Sequence, residues 1–253
     1  TGIRLQETPS GLINSIGLEN PGIPHFIENE LPSMLSLSPV TIANLSGSSY
    51  ESYLEGASLL DKTSVPMIEL NISCPNVKAG GMGFGLDPKI AGDITSQVRK
   101  VTSKPLMVKL SPNAPDLLGV AQAVREAGAY AISLVNTFQA MAINVEKGCF
   151  VFDNVKAGLA GPAIKPLALR MVFDVCKDMA KLPEKERIPV VGLGGIHTWQ
   201  DAVEFIMAGA NAIQVGTATF ADPLAMVTII EGLESFMDRK GYKKIEDFRG
   251  CVL

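Results

Sequence analysis

The sequence has no CxxC pair, no long basic stretch, one tryptophan and no apolar run near the roughly 18 residues that a membrane helix needs. Each absence excludes something. The four cysteines, Cys74, Cys149, Cys176 and Cys251, are too dispersed for a zinc or iron–sulfur ligand set. No metal site is expected, and the thiols are read as reduced cysteines of a cytoplasmic protein. The start lacks a basic segment leading into an apolar one, so neither a signal peptide nor a membrane span is visible. The formal charge of −4, from 22 Lys and Arg against 26 Asp and Glu, offers no phosphate-tracking surface for nucleic acid. No GxGxxG follows a strand, so no dinucleotide fingerprint is present.

What is present is apolar and periodic. Hydrophobic residues make up 47% of 253 positions, enough to bury a sizeable core in one domain. Short β-branched or apolar runs occur at 39–47, 67–74, 106–112, 131–137, 188–195 and 212–218. Amphipathic stretches at 49–62, 89–103, 116–128, 165–181 and 198–210 lie between or after them. That alternation predicts a parallel sheet with crossover helices. Polar residues or glycines sit at the C-terminal end of every run: Asn44; Asn71 and Cys74; Lys109; Asn136 and Thr137; Gly194 and Gly195; Gly216 and Thr217. An open doubly wound sheet gathers its ligand only near one switch point, whereas a closed barrel uses all strand ends. The expected fold class is therefore α/β, a (β/α)8 TIM barrel. Eight strands are needed and six runs are visible. The chain also opens at Thr1 in a polar, Gly- and Pro-punctuated stretch. The expectation is one barrel domain over 1–253, N-terminally incomplete and missing its first two barrel strands.

Glycines at the ends of the last two runs allow backbone N–H groups to approach a phosphate, the arrangement found after strands seven and eight of many barrels. The alternative is that Gly194, Gly195 and Gly216 only permit tight turns. Lys109, inside the run MVKLSP, would be costly facing an interior without an anion. A reduced flavin is such an anion, and an outward-facing lysine is the alternative. The segment ELNISCPNVKAGGMGF crowds Asn71, Ser73, Cys74 and Asn76 at a strand end ahead of a glycine run. Amides there suit a planar ligand rich in donors and acceptors. Taken alone, Cys74 is either a buried small residue or a catalytic thiol. His25 and His197 read as exposed loop residues.

NISCPN followed by VKAGGMGFG resembles the catalytic loop of the class 1 dihydroorotate dehydrogenases, whose class 2 counterparts carry serine at the cysteine. The likeness extends in order through NSIGLEN (14–20), IANLSG (42–47), MVKLSP (107–112), SLVNT (133–137), GLAGPAIKP (158–166), GLGGI (192–196) and QVGTA (214–218). It implies dihydroorotate oxidation to orotate, with FMN as cofactor and Cys74 as base. Substrate would be held by Asn14, Ser15, Ile16, Gly17, Leu18, Asn71, Asn76, Asn136 and Thr137. FMN would contact Asn44, Asn71, Lys109, Val135, Gly161, Gly194, Gly195, Gly216 and Thr217. The wording of the loops is most similar to the NAD-linked type B subgroup. That implies an electron-transfer subunit bearing FAD and a [2Fe–2S] cluster on another chain, with the barrel as a homodimer or in a heterotetramer. Family members carry two further barrel strands ahead of this region. The alternatives are a dihydropyrimidine dehydrogenase-like FMN barrel sharing the cysteine loop, a non-redox phosphate-binding barrel, and a truncated barrel without catalysis.

Overall fold

The structure is a computed structural model and describes residues 2–73 and 83–253. The chain divides into two compact units, one of Thr1–Ile16 with Leu134–Leu253 and the other of Gly17–Ser133. It begins with an antiparallel hairpin, β1 (Leu5–Thr8) and β2 (Gly11–Asn14), belonging to the first unit.

In the second unit a helical segment holds α1 (Ile23–His25) and α2 (Leu31–Leu35), joined by a π-turn at Phe26–Glu30. Three β/α repeats and a fourth strand follow: β3 (Ile42–Leu45) and α3 (Tyr50–Asp61), β4 (Met67–Asn71) and α4 (Pro88–Val101), β5 (Leu106–Lys109) and α5 (Leu117–Glu126), and then β6 (Ala131–Leu134). The strands are parallel in the order β6-β5-β4-β3. Ile68, Leu70, Leu106, Val108 and Ile132 are all fully buried, which is why these strands read as continuous apolar runs and not as alternations.

The helices start where side chains can cap them. Ser49 accepts from the backbone N–H of Ser52, whose hydroxyl accepts in return from the N–H of Ser49, a reciprocal capping box. Asp87 accepts from the N–H groups of Lys89 and Ile90, with Pro88 at the first helical position. Ala91, Ile94, Thr95 and Val98 then supply the buried face of α4 at helical spacing.

The first unit resumes with β7 (Phe138–Ala140), the hairpin β8 (Ile143–Asn144) and β9 (Cys149–Phe150), and β10 (Ala157–Ala160). Strands β1-β2-β10-β7 form an antiparallel sheet. Helix α6 (Lys165–Ala180) leads to β11 (Val190–Leu193), α7 (Trp199–Met207) and β12 (Ala212–Gln214), the last parallel to β11. A short α8 (Ala218–Ala221) and a long α9 (Ala225–Lys240) follow, α9 ending at Gly241 in the left-handed conformation that a glycine C-cap favours. Val203, Ile206, Phe236 and Phe248 are packed with Trp199 and Tyr242 into an aromatic-rich core under α7 and α9.

All six expected strand runs and all five expected helical stretches are present. The antiparallel sheet was not foreseen: 138–164 reads as irregular, and the opening segment as a polar connection. No helix among the described residues is long and apolar enough to cross a membrane.

Candidate active site

Cys74 and Asn76, the expected base and one of its flanking amides, lie outside the described residues. The strand that leads to them is well defined. In β4, Glu69 is opposite Asn44 of β3, and Asn71 is opposite Lys109 of β5, which is itself opposite Ser133 of β6. Partners in a parallel register share a face, so Asn44, Glu69, Asn71, Lys109 and Ser133 line one side of the sheet. The hydrogen bonds agree. Glu69, only 5% exposed, accepts from the Asn44 side-chain amide and from the Ser133 hydroxyl at 2.7 Å. Lys109 therefore shares a face with the polar row. Asn71 is fixed at both ends: its side-chain oxygen accepts from the Ser73 hydroxyl at 2.6 Å, and its carbonyl from the Tyr53 hydroxyl at 2.7 Å.

Sequence reasoning did not single out Glu69. The available signal was a carboxylate inside the apolar run MIELN, where burial is costly unless hydrogen bonds satisfy it. Its two donors lie 25 residues before and 64 residues after it in sequence.

In the same unit a cavity of about 410 Å³ is lined by Leu18 and Asn20 from the expected substrate loop and by Asn44 and Ser46 from the expected flavin strand. Gly17 and Leu18 both adopt positive φ, 79° and 58°, and the Asn20 amide donates to the Leu18 carbonyl at 2.6 Å. Within the first unit, Asn14 and Thr137 meet at β10. The Asn14 amide donates to the Gly158 carbonyl at 3.3 Å, and the Thr137 hydroxyl lies where a side chain on Gly158 would begin. Ser15 accepts from the Asn154 amide, the Ile16 carbonyl accepts from Arg4, and the Asn136 side-chain oxygen accepts from the Thr137 N–H.

The expected phosphate residues also converge. Gly194 and Gly195 have φ of 124° and 76°, a region that favours glycine. A Cβ on Gly195 would come within 2.7 Å of Lys165 N and 2.8 Å of Gly161 O, and one on Gly194 within 3.4 Å of Val135. Gly161, with φ of 91°, packs towards Thr217. At Gly216 an added Cβ would meet nothing within 4 Å. Gly194 and Gly195 are thus required by the turn itself, whereas Gly216 borders open space in which a ligand would fit. In the second unit, the buried Ser46 hydroxyl, at the end of β3 beside the cavity, has no hydrogen-bond partner among the described residues, which fits a polar ligand there.

Behind the Gly194–Gly195 turn lies an ionic cluster that sequence reasoning missed. The Lys165 ammonium lies 2.8 Å from a carboxylate oxygen of Asp201 and 2.8 Å from one of Glu204. Hydrogen bonding to Asp201 first, and then to Glu204, holds the Lys165 pKa above the ordinary lysine value, against the pull of burial. For Asp201, burial pushes upward, but hydrogen bonds from Lys165, the His197 N–H and Thr198 prevail and leave its pKa below the ordinary value. The other oxygen of Asp201 closes the capping box of α7. The N-terminus of α7 thus already has a carboxylate of its own.

His197 is an exposed loop residue, as expected; His25 is exposed too but ends helix α1 instead of lying in a loop, and it lies 3.7 Å from Glu30. Among the remaining cysteines, Cys149 and Cys251 are exposed. Burial pushes the Cys176 thiol up to about 12, with Arg249 opposing weakly, so Cys176 has no thiolate at neutral pH to act as a base.

A family model described as "Dihydroorotate dehydrogenase" matches residues 3–237. Curated relatives named "Dihydroorotate dehydrogenase B (NAD(+)), catalytic subunit" match nearly the whole chain. The one from Petrotoga mobilis is 51% identical over 99% of this chain and 81% of its own length. The one from Caldicellulosiruptor bescii is 49% identical over 98% and 80%, and the one from Bacteroides thetaiotaomicron 44% identical over 98% and 80%. The fold of this family is the (β/α)8 barrel, in agreement with the strand–helix alternation of the sequence. The parallel β/α repeats, the glycine turns and the matches over almost every residue lead to one conclusion: the chain belongs to the dihydroorotate dehydrogenase family, in its class 1, type B branch.

Proposed function

We propose that this chain oxidises (S)-dihydroorotate to orotate in pyrimidine biosynthesis, with 1–253 acting as one FMN-binding domain and Cys74 as the base. The observation that carries the reading is the polar row Asn44, Glu69, Asn71, Lys109 and Ser133 on one face of β3 to β6, with Cys74 three positions beyond Asn71. Bound FMN supplies a hydride acceptor for C6 of the substrate. The chain supplies the rest. Cys74 takes the C5 proton from the opposite face of the ring, and Asn71, Asn76, Asn136, Thr137 and the 14–18 segment orient the ring's carbonyls and N–H groups. An unperturbed thiol titrates near pH 8.5, so the rate rises through weakly alkaline pH. Asn44, Asn71, Lys109, Val135 and Gly161 are assigned to the flavin ring and ribityl chain, and Gly194, Gly195, Gly216 and Thr217 to its phosphate.

Lys109→Ala tests the flavin side. An ammonium beside the ring favours the reduced, more negatively charged cofactor. The variant is therefore expected to bind FMN more weakly or to show a lower reduction potential in a spectroscopic redox titration. Full occupancy at an unaltered potential would place Lys109 elsewhere.

The relatives are named as catalytic subunits of NAD-linked enzymes, which supports a second subunit that carries electrons onward to NAD. This sequence has no dinucleotide fingerprint and its cysteines are dispersed. We therefore assign FAD and a [2Fe–2S] cluster to that subunit, in a cytoplasmic heterotetramer built on a dimer of barrels. Purified with its co-expressed partner, the chain is expected to couple dihydroorotate oxidation to NAD reduction and to leave dihydrouracil unoxidised. Efficient fumarate reduction by the chain alone, with no NAD activity gained from any partner, would replace this acceptor. Turnover of dihydrouracil instead of dihydroorotate would favour the dihydropyrimidine dehydrogenase reading.

A further inference from the structure

The turn assigned to the phosphate is held from behind by one carboxylate. Asp201 is 8% exposed. One of its oxygens accepts from the N–H groups of His197 and Thr198, at 2.9 and 2.8 Å, and from the Thr198 hydroxyl at 3.0 Å. These residues follow Gly194 and Gly195 with only Ile196 between. Its other oxygen accepts from Lys165 at 2.8 Å. Lys165 is the first residue of α6, directly after the Gly161 segment, and its own backbone N sits against Gly195. Asp201 therefore ties the chain leaving the Gly194–Gly195 turn to the chain leaving the Gly161 loop. They pass so close at Gly195 that an added Cβ would fall 2.7 Å from Lys165 N and 2.8 Å from Gly161 O, and the ion pair holds the two stretches at that separation.

The same geometry settles what Lys165 does with its charge. Its ammonium sits between two carboxylates at equal distance, so it neutralises them and is directed to them, while the phosphate is left to backbone amides. Without Lys165, two carboxylates would stand uncompensated behind an anion site, and the two loops would lose their tie.

We propose that Lys165 and Asp201 are positioning residues for the cofactor phosphate: their ion pair holds the Gly194–Gly195 turn against the Gly161 loop and so sets the affinity for FMN through its phosphate alone. The inference rests on the assignment of Gly194, Gly195, Gly216 and Thr217 to the phosphate. It separates from a merely structural role because riboflavin, which has the same ring and ribityl chain but no phosphate, should be insensitive to the pair.

The test is titration of the flavin-free full-length chain with FMN and with riboflavin, followed by flavin fluorescence, for the native protein, Lys165→Met, Lys165→Gln and Lys165→Arg. The native chain should prefer FMN. Lys165→Met should weaken FMN by about ten- to a hundredfold, the loss typical when an outer partner of a binding group is removed, and leave riboflavin unchanged. Lys165→Arg should restore the preference. Lys165→Gln keeps a shorter, neutral donor on the side of Asp201 and removes the charge, so it should lose part of the preference, and it gives the answer if the Met variant does not fold. A ratio of FMN to riboflavin affinity equal to the native one in Lys165→Met or Lys165→Gln would overturn the proposal, whether both affinities hold or both fall. A native chain that binds the two flavins equally would instead overturn the phosphate assignment beneath it.

Discussion

Cys74→Ser is expected to keep its flavin and to lose about 10²- to 10⁴-fold of its turnover at neutral pH, the usual contribution of a positioned base. The reason is proton affinity. A thiol near its unperturbed value is a few per cent thiolate at pH 7, whereas a serine hydroxyl must be activated by something else. The substitution is nearly isosteric and leaves the amides in place, so orotate affinity should change little. The rate of flavin bleaching by dihydroorotate in rapid mixing is the direct measurement. In the native protein that rate should climb with pH and level off above the thiol's pKa, and in the serine variant the climb should move to higher pH. Bleaching at the native rate at neutral pH would remove Cys74 from the reaction. Cys176 offers no substitute, since burial pushes its thiol up to about 12.

The second large effect is expected at Gly216. Position 195 is a poor place to test the phosphate site. Its φ of 76° and the backbone atoms within 2.8 Å of an added Cβ mean that any side chain disturbs the turn itself. Gly216 is different: an added Cβ meets nothing within 4 Å. Gly216→Val should therefore leave the stability of the flavin-free chain within about 0.5 kcal/mol of native. Intruding on a site filled by phosphate, the same side chain carries an overpacking cost of about 1–3 kcal/mol, which is about 5- to 150-fold in affinity. Equilibrium dialysis of FMN, alongside thermal unfolding of the flavin-free chain, reads both quantities. Stoichiometric FMN bound at native affinity would mean that the phosphate lies away from Gly216.

The parts of the fold that sequence reveals are those whose physics is local. Strands β4 to β6 are buried on both sides, so segments such as Met67–Leu70 and Leu106–Val108 appear as largely apolar runs. Helices α3, α4, α5 and α7 announce themselves by Ser49, Asp87, Asp116 and Thr198, each accepting from its own first turn. The sheet of β1, β2, β10 and β7 has no such signature. Its strands are three or four residues long and mostly half-exposed, and residues such as Gly11 and Gly158 interrupt any alternation. Helix α9 hides for a related reason: Met226, Val227 and Ile230 are exposed and blur its apolar stripe.

The site divides in the same way. Lys109 and the glycine turns could be picked out because a charge within a strand and paired glycines at strand ends are unusual in themselves. Glu69 with Asn44 and Ser133, and Lys165 with Asp201, could not, since each pairing exists only after distant strands or helices are brought side by side. A polar residue's partner is a fact of topology, and topology is what a single sequence displays least.

The antiparallel sheet also sets an order of events during synthesis. Strand β2 pairs on one side with β1, a few residues away, and on the other with β10, where Asn14 faces Gly158. A lone two-stranded hairpin is marginal in water. At about 5–20 residues per second, the ribosome takes roughly 7–30 s to make the residues between those partners. Over that interval all of Gly17–Ser133 is made, while β2 still lacks its partner β10. The surface carrying Asn14 and Thr137 is thus completed late, by a strand that arrives after the four parallel ones, and a chain stalled before residue 157 would carry Lys109 and Glu69 but not the sheet that sets Asn14.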